Sequence, residues 1–523
     1  MNSREPDYLR GTHWQPLRST CIAHAIGPPL CGILGLVALG AGAQESGARP
    51  TLTFTPELFI QETLTNNSHL TSGNGKTELI TELTPELRLG SNAGRIKGFL
   101  DYAVRGLVYA RESSANNIQQ ILSAAGTAEA VENWAYVDAS ASISQQNISA
   151  LGTQSPDSSL INSNRTEVTS VNVAPYLRGH LGNFADYDAR LIWQSTRSDA
   201  SNADSTTTTA MLRLASDRSL ARLGWSADLS HQAIEFRAAG TNQTDRANGG
   251  LTYAATPELR FSAKAGHEIN DLVTVTKKGY NTHGWGVTWT PSERTRLDAE
   301  REKRFFGNSH SVRFEHRMPR SVWTYTDTRD VSTDAGTSAT AGTTVFDLLF
   351  TQAASLVPDP VQRAAYVDAF LASNGLTRAS LITGGFLTSA ASVQRHQDLS
   401  FATLGVRTTL IVSAFRNDAR RLDSTAVVTD DLSNGNLLNQ KGLSVNVSHQ
   451  LTPLSALSVL ASLTKTGASL GLQGSDLKLL TTTLTSRVRQ NADLSLSARH
   501  AVSSGTASSY TESAVLASLR LRF

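Results

Sequence analysis

Apolar and polar residues alternate along most of this chain with a period of two. Residues 95–111, RIKGFLDYAVRGLVYAR, show it most clearly. Ile96, Leu100, Tyr102, Val104, Val108 and Ala110 share one face with Gly98 and Gly106, while Arg95, Lys97, Asp101, Arg105 and Arg111 share the other. Successive side chains of a strand point to opposite faces, so this spacing predicts a strand with one apolar and one charged face. The pattern returns at Leu223, Trp225, Ala227 and Leu229 against Arg222, Ser226 and Asp228. It returns again at Leu259, Phe261, Ala263 and Ala265 against Arg260, Ser262 and Lys264. Each stretch is long enough to cross a bilayer at a tilt, which takes roughly 9–11 residues.

The connections follow a second rhythm. Tight turns are expected at 91–94, 181–183, 216–219, 256–258, 291–294, 318–320 and 451–454. Long connections rich in Ser, Thr, Asn, Asp and Gly are expected at 65–76, 148–165, 198–205, 234–245, 269–279, 419–439 and 503–509. Short periplasmic turns opposite longer external loops are the habit of outer-membrane barrels. Residues 115–131 contain many helix formers. Reading 116–130 as a strand instead keeps the alternation throughout and gives about 22 strands, an even number as bacterial barrels require. About 20 is the nearest alternative.

The chain ends ASLRLRF. Val515, Ala517, Leu519, Leu521 and Phe523 lie on one face; Ser518, Arg520 and Arg522 lie on the other. A terminal aromatic residue on an amphipathic last strand is the tag read by the barrel assembly machinery, so Phe523 is the candidate assembly signal. The expected fold is an all-β, antiparallel up-and-down transmembrane barrel in the outer membrane of a Gram-negative cell. Both termini are expected in the periplasm, and lipid is the first partner.

Charge ladders identify the wall facing inward. Arg296, Asp298, Glu300, Glu302 and Arg304 share a face, and in the next strand so do Arg313, Glu315 and Arg317, opposite Val312 and Phe314. A midplane Arg or Lys facing lipid would cost about 2–4 kcal/mol, so these residues are expected to line the lumen. Arg95, Lys97, Asp101, Arg105, Arg222, Asp228, Arg260 and Lys264 are assigned to the lumen on the same argument. Such ladders either stiffen the wall or form a polar track for a hydrated solute.

The first 43 residues read as a secretory signal, with Arg4, Arg10 and Arg18 before the apolar run Leu30–Leu39 and a small-residue cleavage site at Ala41-Gly42-Ala43. Residues 44–523 are then the barrel. Cys21 and Cys31 both precede the cleavage site, so disulfides, cysteine-ligated zinc and cysteine nucleophiles are excluded. The formal net charge of +2 implies no nucleic-acid partner.

One insert, residues 333–392, breaks the pattern. Asp359-Pro360 is a helix start and Gly375 a stop, with VQRAAYVDAFLASN amphipathic between them. By parity the insert lies on the outer side, where it caps the barrel, folds into its mouth, or decorates a loop. Catalytic chemistry is sparse. Walker, H-E-x-x-H, G-x-S-x-G and dinucleotide fingerprints are missing. The twelve histidines show no metal spacing. Lys465-Thr466-Gly467 stands alone as a fragment of a penicillin-binding motif. The stretch from Asp430 to Gly435 has calcium-loop residues without the closing glutamate and reads as a solvated hairpin tip. The reading is therefore a non-enzyme without cofactors, although a hydrolase assembled from neighbouring strands would leave no local motif.

Four stretches carry a family resemblance: TPELFIQETLTNN (55–67), LTPELRLGSNAGRIKGFLDYAVRGLVYAR (83–111), WTPSERTRLDAEREKRFFG (289–307) and DLLFTQAASLVPDPVQRAAYVDAFL (347–371). With these, residues 51–523 resemble the uncharacterised outer-membrane β-barrels associated with PEP-CTERM systems. Thr65-Asn66-Asn67 departs slightly from the Thr-Asp-Asn expected there. The resemblance implies a place in exopolysaccharide loci and exosortase-based sorting. Polysaccharide or exopolysaccharide-secretion proteins would be the partners; it assigns no functional residue. A TonB-dependent transporter has a similar strand number but needs a large N-terminal plug before its first strand. The leading functional expectation is a passive pore or secretion component. The alternatives are an anchoring barrel closed by its insert, a general porin and a barrel-embedded hydrolase.

Overall fold

The computed structural model describes residues 52–199, 203–216, 222–237, 240–274, 276–333, 367, 386–422, 430–433, 437–468, 474–505 and 509–523. The expected signal segment and most of the insert lie outside these residues. Of the expected insert helix only Val367 is described, helical and buried.

The alternating stretches become a single sheet of 22 strands. The first run is β1 (Leu52–Thr65), β2 (Glu78–Ala93), β3 (Ile96–Tyr109), β4 (Asn117–Val131), β5 (Ala135–Asn147), β6 (Arg165–Leu181), β7 (Ala185–Ser198) and β8 (Ser205–Ala215). Next come β9 (Leu223–Phe236), β10 (Gly240–Ala254), β11 (Leu259–Asn270), β12 (Lys278–Ser292), β13 (Thr295–Arg304), β14 (Gly307–Arg317) and β15 (Ser321–Ser332). The last are β16 (Ser392–Leu404), β17 (Thr408–Arg421), β18 (Leu437–Thr452), β19 (Ser455–Ala468), β20 (Ser475–Arg489), β21 (Ala492–Gly505) and β22 (Tyr510–Arg522). The stretch with helix-forming residues is strand β4, in register with β3 from Ile96↔Ala128 to Leu107↔Asn117.

Each strand pairs antiparallel with its sequence neighbours, and β1 pairs with β22 through Leu58↔Leu521 and Leu64↔Val515. The sheet thus closes into a barrel without an open edge. An apolar belt runs round its outer face. Leu83, Val108, Leu191, Leu229, Leu251, Trp285, Trp323, Leu399, Leu443, Leu480, Leu496 and Val515 all stand exposed. Each such side chain left in water forgoes about 1.5–3 kcal/mol. A closed ring of them therefore places the barrel in a bilayer, where closed sheets satisfy every backbone group.

Short connections gather at one end: 94–95, 132–134, 182–184, 255–258, 293–294, 318–320, 405–407, 453–454 and 490–491. Both the start of β1 and the end of β22 lie at this end, since Leu52 faces Ser91 and Glu57 faces Arg522. Longer connections, including 66–77, 110–116, 148–164 and 271–277, share the other end with two short ones, 237–239 and 305–306. Two expectations shift. The first turn falls at 94–95, where Gly94 has φ +42°, rather than at 91–94. Most of the expected loop 234–245 is strand, because β9 and β10 pair as far as Phe236↔Gly240.

Candidate functional site

The inner wall is built from the positions that alternate with the exposed leucines. In β3, Lys97, Asp101 and Arg105 share the inward face, opposite the exposed Ile96 and Val108. Arg95 does not join them. It sits in the turn after Gly94 and lies 3.6 Å from Glu132, both largely exposed at the rim. Arg222 likewise lies just before β9 and is exposed. Asp228 faces inward, 3.6 Å from Arg213. Arg260 and Lys264 share the inward face of β11 with the fully buried Glu268. Arg296, Asp298, Glu300, Glu302 and Arg304 face inward from β13, in register with Arg313 and Glu315 as Asp298↔Arg313 and Arg296↔Glu315. Arg317 continues that face of β14 and lies 3.1 Å from Glu315.

The bridges do not simply run across the β13–β14 pair. Arg296 bonds Asp298 two residues along its own strand at 2.6 Å. Lys264 from β11 reaches Glu300 at 3.0 Å and Glu302 at 3.3 Å, and Arg246 from β10 also pairs with Glu302. Arg304 binds Glu268 at 2.7 Å and Asp330 at 2.5 Å. The ladders thus tie β10 to β15 into one charged wall.

A second charged wall follows the barrel seam. Glu57 is nearly fully buried and lies 3.5 Å from Arg88, 3.2 Å from Arg520 and 3.7 Å from Arg522. Arg522 also binds Asp493 at 2.5 Å. Toward the loop end, Arg105 binds Glu82 at 2.8 Å, and Arg499 binds Glu512 at 3.0 Å. Between these tiers lies a cavity of about 780 Å³. Hydroxyls of Thr53, Thr55, Ser123, Thr481, Thr483, Ser495 and Ser497 line it, with Gln61 and two aromatic rings, Phe59 and Phe99. Arg520 stacks over the Phe59 ring at 5.3 Å. Sequence alternation held the signal for Glu57, Glu82, Arg88, Arg499 and Glu512, which occupy alternate positions exactly as the assigned ladders do.

The roof of this cavity is a loop. Residues 148–164, between β5 and β6, fold into the lumen instead of outward. Asp157 binds Arg499 at 2.5 Å, and Pro156 and Asp157 complete the cavity wall. Ser158 Oγ accepts from Arg105, its carbonyl accepts from Gln119, and Tyr109 Oη donates to the Ser159 carbonyl at 2.6 Å. Tyr510 Oη donates to the Gln154 carbonyl. Burial opposes ionisation of Asp157, but the guanidiniums of Arg499 and Arg105 outweigh it and hold the carboxyl well below its ordinary range.

Two further segments pack across the loop end of the lumen. Residues 386–391, the described end of the insert, are all buried. Phe386 packs with Ala150, Ala419, Leu432 and Leu438, while Leu387 and Ala391 pack with Val168, Ile234, Phe236 and Leu272. This short segment therefore joins the β17–β18 wall to the β6–β9 wall. The Asp430–Asp431 tip is not solvated as its composition suggested. Asp430 accepts from Ser389 Oγ at 2.7 Å, and Asp431 accepts from Ser149 Oγ at 2.7 Å and Ala150 N at 2.6 Å. Burial pushes the Asp431 carboxyl above its ordinary value.

One Ser-His-acid contact occurs. His69 lies 3.1 Å from Ser68 Oγ and 3.1 Å from Glu112. Ser68 is wholly buried and its hydroxyl also lies 3.3 Å from the Lys76 carbonyl, so it presents nothing for attack on a substrate. His396, Asp398 and Ser400 share the inner face of β16, but Ser400 donates to Asp398 at 2.8 Å and His396 Nε2 has no partner among the described residues. Among the described residues no group of three His, Cys, Asp or Glu is placed to hold a metal. Lys465 faces outward and pairs with Asp476 at 3.0 Å, away from any cavity chemistry.

No family model and no curated protein matches the sequence. Solved barrels align with it in shape. The FrpB iron transporter of Neisseria meningitidis, in its apoprotein form, aligns at 9% identity over 90% of this chain and 81% of its own, with TM-score 0.46. The siderophore receptor PirA of Pseudomonas aeruginosa aligns at 9% identity over 91% and 81%, with TM-score 0.43. A mutant ferric enterobactin receptor, PfeA, of the same organism aligns at 10% identity over 90% and 81%, with TM-score 0.46. At such identity and score these likenesses carry no functional argument.

Proposed function

We propose that this protein is a gated outer-membrane channel for polar, saccharide-like solutes, working without bond chemistry. The cavity beneath the inward loop carries this reading. Its wall combines hydroxyls, paired charges and the Phe59 and Phe99 rings, the groups that hydrogen-bond and stack on sugars. The family resemblance supports exopolysaccharide as the class of cargo and a PEP-CTERM-linked locus as the setting. The loop at 148–164 and the segment 386–391 act as the gate, held by ion pairs that an arriving solute or partner would displace.

The packing of 386–391 across the loop end also favours a second reading, in which the barrel anchors a partner and never opens. Planar-bilayer recordings of the refolded full chain separate the two. The channel reading expects rare openings in the native chain, steady conductance after deletion of residues 151–163, and block of that conductance by dextran. Silence in both forms would remove the channel and leave anchoring.

A further inference from the structure

The outer wall carries a charge pattern that lumen chemistry does not use. From β13 to β19 the outward rows run across the strands in direct register. The apolar belt includes Leu297, Phe314, Tyr325, Leu399, Ala414 and Leu443 in one such row. Trp323 and Phe401, with ring centroids 4.4 Å apart, lie in the row beneath it. One residue pair nearer the loop end, the next outward row reads Asp327, Gln397, Arg416, Lys441, Lys465 and Asp476. The row above that reads Arg301, His310, Arg329, Arg395 and Asp418. Arg420 lies just beyond it on β17.

Neighbouring strands stand about 4.8 Å apart, so Arg416, Lys441 and Lys465 present three cations within roughly 10 Å. Arg329 lies directly opposite Arg395. Like charges placed opposite each other destabilise a sheet. Three carboxylates answer part of the charge. Asp327 takes Arg395 at 2.8 Å, Asp418 takes Arg416 at 3.0 Å, and Asp476 takes Lys465 at 3.0 Å. Among the described residues no carboxylate lies within salt-bridge distance of Arg301, Arg329, Arg420 or Lys441. The excess is local, because the whole chain is nearly neutral.

We infer that this band binds the phosphate groups of a phosphorylated membrane glycolipid in the leaflet on the loop side. The acyl chains of that lipid lie on the apolar belt immediately below. Cations directly above a lipid-facing belt meet the height of headgroup phosphates, and guanidinium forks suit phosphate oxygens. The continuity of belt and band selects a lipid over a free anion.

The test measures binding of lipid A, a bisphosphorylated glycolipid, to the full-chain barrel in detergent. The variant carries Arg329→Gln, Arg420→Gln and Lys441→Gln together. Arg197→Gln is the control, since Arg197 faces outward near the loop end of β7, on another part of the wall. Lipid A binding should weaken about 100-fold in the triple variant and stay unchanged in the control, while binding of a zwitterionic phospholipid is the same in all three. A heat-modifiability gel establishes that each variant is folded, and Lys441→Gln alone should give about a fivefold loss. Equal lipid A affinity in native and triple variant would overturn the inference. So would displacement of lipid A by free pyrophosphate at equal concentration, which would mark an anion site without a lipid.

Discussion

Substituting Asp157→Asn tests the gate at its smallest point. The carboxylate joins the inward loop to Arg499, which is itself only 5% exposed. Arg499 keeps Glu512 as partner at 3.0 and 3.2 Å, so the substitution does not strand a buried charge. The loss is then one charge-assisted hydrogen bond, about 2 kcal/mol. Placed on the equilibrium between a seated and a released loop, that is about a 30-fold rise in the released population. Single-channel recording reads this directly as open probability. Glu512→Gln makes the contrast: it leaves Arg499 short of its wall partner and should lower barrel stability as well as seating. The gate argument fails if Asp157→Asn leaves open probability unchanged while deletion of 151–163 opens the channel. That result would put the closing force in the apolar contacts of the mouth rather than in the ion pair.

Three further outcomes are expected. Folded Asp157 titrates below its unfolded value, so its contribution is complete above about pH 4 and is lost only as pH falls through the lowered value; Asp431 is raised by burial, so the seated state gains as pH falls toward it. Open probability should therefore fall, not rise, on mild acidification, and Asp431→Asn should flatten that slope in the same recordings. Removing Phe523, which is 74% exposed and bonds Pro56 only through its backbone N–H at 3.0 Å, should sharply reduce membrane insertion in cells but shift the refolding midpoint in urea by little. Gly98→Val should destabilise the barrel by about 1–3 kcal/mol in the same urea titration, because a Cβ at Gly98 would meet the Ala125 carbonyl oxygen at 2.5 Å and the Gly126 Cα at 2.7 Å.

Strand number, facing and closure were legible because the period of two is imposed locally. Lipid on one side and a wet lumen on the other act on every strand alike, so RIKGFLDYAVRGLVYAR and ASLRLRF each report the same division. Loop placement was not legible for the opposite reason. The Ser- and Asn-rich stretch 148–164 has the composition of a solvated loop, and its inward course depends on partners hundreds of residues away. Ser149 meets Asp431, Asp157 meets Arg499, and Gln154 meets Tyr510. No local spacing encodes such contacts. The Arg95 and Arg222 assignments failed at strand ends, where alternation gives way to the turn and a charged side chain escapes to the rim.

The two walls of the lumen are charged in different ways, and the difference bears on the channel proposed above. From β10 to β15 the acids and bases pair with one another within the wall, which stiffens it whatever the lumen holds. Along the seam, Arg499 and Arg105 divide their contacts between wall carboxylates and the inward loop. Those loop contacts are the ones a solute could replace. A neutral saccharide offers Arg105 and Arg499 hydroxyl acceptors only, whereas a uronic-acid polymer offers carboxylates that substitute for Asp157 in kind. Release of the loop should therefore be promoted by an anionic polysaccharide far more than by dextran. Recordings with alginate and dextran at matched concentration read the difference as open probability. Equal effects would mean that the arginines hold the loop but do not select the cargo.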